Sequence, residues 1–187
     1  MKQTNYLLED ILESEKGWLF YDTSLKLFRK IINSINGKNL IDIGCGGGLM
    51  IGLIKLFNPK MKVTGFEGSE SIRPIWEKRN LDVLTGDIYN LPFKNNEFET
   101  VISSHVIEHL EQPEKMIEES LRISKKRVIH IVPEGNVNEK NFGTPHLKIY
   151  NRVNFKKLFN QKNIKIINYE SIQDTHMNSL FICLEKK

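Results

Sequence analysis

The chain has two cysteines, Cys45 and Cys183, far apart in sequence. That is too few for a disulfide framework, so a reducing compartment, the cytoplasm, is the expected location. Prolines number six, and no Pro-rich or low-complexity tract is present. This excludes collagen-like and stalk-like chains. No apolar run approaches the ~18–20 residues of a membrane-spanning helix. The charge-free stretch over 43–54 is short and rich in glycine. The first eighteen residues carry acids through their apolar part, unlike a secretory leader. Nor is there much charge of one sign: 27 Lys and Arg stand against 23 Asp and Glu, a net +4. The densest basic clusters, Lys125–Lys126–Arg127 and Lys186–Lys187, are read as solvated surface. A nucleic-acid footprint would want a larger excess on one face.

What is present is an ordinary globular balance. The 187 residues are 40% hydrophobic and 27% charged, enough for one domain with its own core. Residues 1–37 read as a helical cap. Tyr6, Leu7, Ile11 and Leu12, then Leu25, Leu27, Phe28, Ile31, Ile32 and Ile35, recur at helical spacing. Residues 38–187 read as an alternation of strands and helices. Strands are expected at 39–43, 61–66, 81–85, 100–104 and 127–132. Helices are expected at 48–57, 69–79 and 113–123, the last opened by Pro113. A long irregular segment, 134–150, then precedes a helix at 151–159 and two strands at 164–169 and 179–184. No helix separates the last two strands, so they are expected to be antiparallel neighbours. The fold class is therefore α/β: a doubly wound, Rossmann-like, seven-stranded and mostly parallel sheet, its last strand antiparallel, with helices on both faces.

The strongest local signal is Leu40-Ile-Asp-Ile-Gly-Cys-Gly-Gly-Gly48, an apolar strand running into a glycine cluster at a strand–helix turn. In open α/β sheets, ligands bind at the carboxyl ends of the strands. Leu49 stands where the dinucleotide fingerprint wants glycine or alanine, and no Gly-Lys-Ser/Thr follows for a P-loop. Asp42 suits a ligand with a positive charge and suits a pyrophosphate poorly. Glu67, closing the second strand beside Gly68, can accept from a ribose diol. Asp87, closing the third beside Ile88, can accept from an exocyclic amine while Ile88 packs on a ring.

These segments, in order, resemble the class I S-adenosylmethionine-dependent methyltransferases. The stretch FETVISSHVIEHLEQPEKMIEESLRI around the fourth strand resembles the small-molecule, methyltransferase type 11 branch in particular. The resemblance is close over 38–133 and looser to 184. It implies that Asp42, Gly44, Cys45, Gly46 and Gly48 cradle the methionine part of S-adenosyl-L-methionine. Glu67 and Gly68 would take the ribose, Asp87 and Ile88 the adenine, and Ser104 and His105 the region beside the methionine end. S-adenosyl-L-homocysteine would be the product. Tyr21, His109, His146 and Tyr150 are the acceptor-side candidates, and no catalytic base is assigned.

His105-Val-Ile-Glu-His109 also spells HxxEH, a zinc-peptidase motif. Gln112–Pro113 interrupts soon after and no third ligand helix follows, so no metal is expected. His130 is read as structural and His176 as surface. The acceptor is expected to be a small molecule. The Asn/Asp-Pro-Pro-Tyr of nucleic-acid and glutamine N-methylating members is missing after the fourth strand, as is a Pro-Cys nucleophile. Nucleic acid and membrane are not expected partners, and the chain is expected to be a monomer or homodimer. Two alternatives of other classes stay open: a non-catalytic adenosyl-binding module and a NAD(P)-binding oxidoreductase.

Overall fold

The computed structural model describes residues 22–135, 147–160, 163–173 and 178–187. Seven strands form one sheet: β1 (Asn39–Ile43), β2 (Lys62–Glu67), β3 (Val83–Thr85), β4 (Phe98–Ser104), β5 (Ser124–Pro133), β6 (Ile164–Ile172) and β7 (Ser179–Lys186). Among the described residues five α-helices accompany them: α1 (Asp22–Ser34), α2 (Leu49–Phe57), α3 (Arg73–Lys78), α4 (Pro113–Ile123) and α5 (Arg152–Lys157). The strand order is β3-β2-β1-β4-β5-β7-β6. The first five strands pair in parallel, and β7 inserts antiparallel between β5 and β6. The chain winds outward from β1 through β2 to β3, then returns to lay β4 on the other side of β1. That reversal opens a crevice at the carboxyl ends of β1 and β4.

Alternation along each strand divides the core. Ile41 and Ile43 of β1 face one layer with Met116, Ile117 and Leu121 of α4 and with Phe155 of α5. Leu40 faces the other, with Leu27, Phe28 and Ile31 of α1 and with Met50, Ile51 and Ile54 of α2. Burying one such side chain contributes about 1.5–3 kcal/mol. Alone, the nine residues of α2 would be marginal, since isolated helices below ~12–15 residues barely hold in water. Packing, not propensity, keeps it in place.

Three local departures from the sequence expectations have physical reasons. The helix expected over 69–79 is split into a 3-10 turn, Glu70–Ile72, and α3. Pro74 has no N–H to give to Glu70, so Arg73 closes the first turn on the Glu70 carbonyl instead. β3 starts at Val83, because Asn80 takes a left-handed φ of 51° and Leu81 folds back to donate to the Trp76 carbonyl. β5 starts three residues early, at Ser124, because Phe98 of β4 pairs with it across a register shift. The polar run Lys125–Arg127 is strand by pairing alone. The first expected helix and most of the 134–150 segment lie outside the described residues. Among those described, no helix is long and apolar enough to cross a membrane.

Candidate functional site

The turn after β1 is built on positive φ. Gly44, Gly46 and Gly48 have φ of 72°, 51° and 82°. The Gly44 and Cys45 amides donate to the Phe66 carbonyl at 2.7 and 3.2 Å, hanging the turn on the end of β2. A Cβ at Gly44 would lie 2.3 Å from Val106 Cγ2, so glycine here permits both the backbone conformation and the close approach of the segment after β4. Gly46 differs: a Cβ there would meet nothing within 4 Å. Its face opens on the crevice, and a side chain would enter space that a ligand can use.

Two carboxylates flank this turn. Asp42 is 3% exposed and sits in register with Gly65 of β2 and Ile102 of β4. Burial, then the nearby Glu67 carboxylate, pushes its pKa up from 3.8 to about 7. No donor or cation opposes these two causes. The gap corresponds to roughly 4 kcal/mol in favour of the neutral acid, at ~1.36 kcal/mol per pKa unit. A positive ligand group beside it would reverse that preference. Glu67 accepts from the amides of Gly46 (2.9 Å), Gly68 (2.8 Å) and Ser69 (3.2 Å). A carboxylate offers about four acceptor sites, so three are engaged and one remains. Paired acceptance from both hydroxyls of a diol would use that site and exchange one amide.

The remaining expected residues are placed as follows. Asp87 is exposed just past β3 and accepts from Tyr89 N–H through Oδ1 at 2.9 Å. Ile88 is half-buried against the core. Cys45 turns its thiol inward: its sulfur is 2.8 Å from where a Gly65 Cβ would stand, and burial pushes its pKa up. Its backbone belongs to the turn, but its side chain belongs to the core. The Ser104 hydroxyl is buried without a partner, and His105 holds a left-handed φ of 56°. That is uncommon for a side-chain-bearing residue and concentrates at functional sites. His109 is exposed, and Tyr150 is buried with an unpartnered hydroxyl. Burial and the carboxylates of Glu114 and Glu108 push the Tyr150 phenol up, so it remains a donor. Tyr21 and His146 lie outside the described residues.

Three residues with structural parts in the site were not singled out from the sequence. Glu108 is 1% exposed, and neither carboxylate oxygen has a hydrogen-bond partner. Its Oε1 lies 3.5 Å from His105 Nδ1 and 3.9 Å from His109 Nε2. HxxEH therefore gathers around one carboxylate. Among the described residues, no group of three or more His, Cys, Asp or Glu is arranged to hold a metal ion. Trp76 and Arg79 reach the glycine turn from α3 and the residue just past it. The only sequence signal for Glu108 was its place between two histidines; Trp76 and Arg79 gave none.

A family model described as "Methyltransferase domain" matches residues 41–132, which hold the turn and both flanking acids. Norajmaline N-methyltransferase of Rauvolfia serpentina is 34% identical over 96 residues, covering 46% of this chain and 32% of that protein. A tRNA (carboxymethyluridine(34)-5-O)-methyltransferase of Arabidopsis thaliana is 32% identical over 93 residues, covering 48% and 22%. The matched part thus spans a third or less of each of these relatives. Among solved structures, a SAM dependent methyltransferase from Aquifex aeolicus has the same fold, with a TM-score of 0.76. It is 18% identical and covers 97% of this chain and all of that one.

Proposed function

We propose that the chain is a class I S-adenosylmethionine-dependent methyltransferase, a reading supported by the methyltransferase-domain match over residues 41–132, and that it moves a methyl group from S-adenosylmethionine to a small-molecule acceptor. The observation that carries the reading is the pair Asp42 and Glu67 at an open glycine turn. This pair of acceptors fits a ligand with a cationic end and a ribose. When bound, S-adenosylmethionine supplies an electrophilic methyl on a positive sulfur.

The protein's own residues then have four tasks. Asp42, Gly44, Gly46 and Gly48 border the methionine part, with Asp42 as the negative charge nearest the cation. Glu67 and Gly68 hold the ribose, with Glu67 exchanging one amide for a hydroxyl. Asp87 accepts from the adenine amine, and Ile88 packs on the ring. Ser104 and His105 close the methionine end at the tip of β4. What is left is alignment and exclusion of water, and proximity alone accounts for up to ~7–11 kcal/mol in well-oriented reactions. His109 and Tyr150 are the described candidates for the acceptor side; Tyr21 and His146, the other two, lie outside the described residues. Tyr150, held as a donor, can orient an acceptor but not deprotonate it. Of the expected cap over 1–37, α1 packs on the sheet through Leu27, Phe28 and Ile31, while residues 1–21 lie outside the described residues.

The names of the relatives give two acceptors, norajmaline and a carboxymethyluridine of tRNA. The modest net charge of +4 favours the small molecule. The deciding experiment is incubation with methyl-labelled S-adenosylmethionine and either a small-metabolite extract or bulk tRNA. Label is expected in the small-molecule fraction. Label on tRNA would overturn the acceptor class, and cofactor binding with no transfer to either would favour a non-catalytic adenosyl-binding module.

A further inference from the structure

The glycine turn is fastened from outside by side chains thirty residues away. Trp76 of α3, 2% exposed, donates its indole Nε1–H to the Gly46 carbonyl at 2.7 Å. Arg79 donates to the Gly47 carbonyl at 2.9 Å. On the inner side, Gly46 N–H reaches Glu67 Oε2 at 2.9 Å. Within the turn only Cys45 carries a side chain, and its thiol reaches the Gly46 carbonyl weakly, at 3.8 Å; the glycine peptides themselves reorient easily. In a trans peptide, C=O and N–H point in opposite directions. Drawing the two carbonyls toward α3 therefore turns the Gly47 amide away from the helix, while the Gly48 amide closes on Cys45 O at 2.9 Å.

The helix is itself tied to the third strand. Glu70 takes two bonds from Arg73, at 2.6 and 2.8 Å, and one from the Thr85 hydroxyl. The Arg73 guanidinium lies over the Trp76 ring, 5.9 Å from its centroid. One side-chain chain thus runs from the end of β3, through α3, to the turn after β1.

We infer that Trp76 and Arg79 are positioning residues for the cofactor: they set the orientation of the Gly46 and Gly47 peptides so that the turn presents a pre-formed cradle. The inference rests on the S-adenosylmethionine reading of the site. It assigns part of the affinity to an indole N–H and a guanidinium that need not touch the ligand.

The test uses the full chain and S-adenosylhomocysteine as probe. Trp76→Phe keeps a buried ring and removes the donor, and it should weaken binding three- to tenfold, as the loss of one neutral hydrogen bond would. Arg79→Lys should bind closer to wild type than Arg79→Met, since lysine keeps a donor. The readout that a purely structural role would not move is the Trp76 indole N–H resonance in the wild-type protein, told from that of Trp18 by a Trp18→Phe variant. It should shift on titration in step with binding. An unmoved resonance in the saturated protein, or a Trp76→Phe affinity within twofold of wild type, would overturn the inference. If wild type itself does not bind S-adenosylhomocysteine, the reading of the site fails first and this inference falls with it.

Discussion

Two buried titratable residues give the chain opposite acid responses. Asp42 holds its proton up to about pH 7 in the folded protein but only to 3.8 when unfolded. Between those values the folded state binds more protons, so this group's contribution to stability falls as pH rises. His130 is the converse. Completely buried and stacked on Phe159, it has its pKa lowered by burial from 6.5 to about 3. Between those values the unfolded chain binds the extra proton, and stability is lost as pH falls below 6.5. From pH 7 to 5 each effect amounts to roughly 2 kcal/mol, and they nearly cancel. The net pH dependence of wild type therefore hides both, and variants separate them. His130→Phe removes two ring nitrogens that have no partner. Its stability relative to wild type should improve by roughly 2 kcal/mol between pH 7 and pH 5 in denaturant titrations. A constant difference would mean that the imidazole is not held neutral.

Asp42 makes a separate prediction about binding. A cationic ligand prefers the carboxylate, so binding at pH 6 should expel a proton and binding at pH 8.5 should expel none from this group. Calorimetry at pH 6 in two buffers of different ionisation enthalpy reads the number directly. Asp42→Asn should abolish the release at pH 6. An unchanged proton count in that variant would place the cation elsewhere.

At the scale of elements, the turn between β1 and α2 separates folding from binding within three residues. Gly44→Ala forces a Cβ onto Val106 at a φ of 72°. A residue held in such a conformation costs on the order of 1–3 kcal/mol, before the clash is counted. Gly46→Ala carries strain at 51° but meets no atom within 4 Å. Thermal unfolding should therefore rank Gly44→Ala well below Gly46→Ala, while S-adenosylhomocysteine affinity should suffer more from Gly46→Ala relative to its stability loss. The reverse ranking would mean that the open side of Gly46 is not ligand space.

The elements also show how far the sequence could be read. The helix opened by Pro113 was legible to the residue, because proline, an early acid and a clean apolar period agree there. The places of Glu67, closing β2, and Asp87, just past β3, were legible because each is counted from a strand end. Glu67's three amide bonds were not, since two come from the turn it closes and one from a loop 21 positions earlier. Trp76 reads as a core residue of an amphipathic helix, and so it is. Its second role depends on α3 returning to residue 46, which no local pattern records. Glu108 reads as a polar position on a short turn, yet the fold buries it between two imidazoles.

For the whole molecule, the sheet order brings the proposed cofactor-side groups to one end. β1, β2, β3 and β4 are four adjacent parallel strands, and in the spatial order β3-β2-β1-β4 their carboxyl ends carry Asp87, Glu67, Asp42 and Ser104. On the proposed reading, a ligand laid across them meets the adenine, ribose and methionine positions in sequence, which a nicotinamide dinucleotide with its central pyrophosphate does not match. The most direct test is calorimetric titration of the wild-type chain with S-adenosylhomocysteine and, separately, with NAD. Saturable one-to-one binding of S-adenosylhomocysteine with no heat from NAD is the expected result. Binding of NAD without S-adenosylhomocysteine would contradict the account.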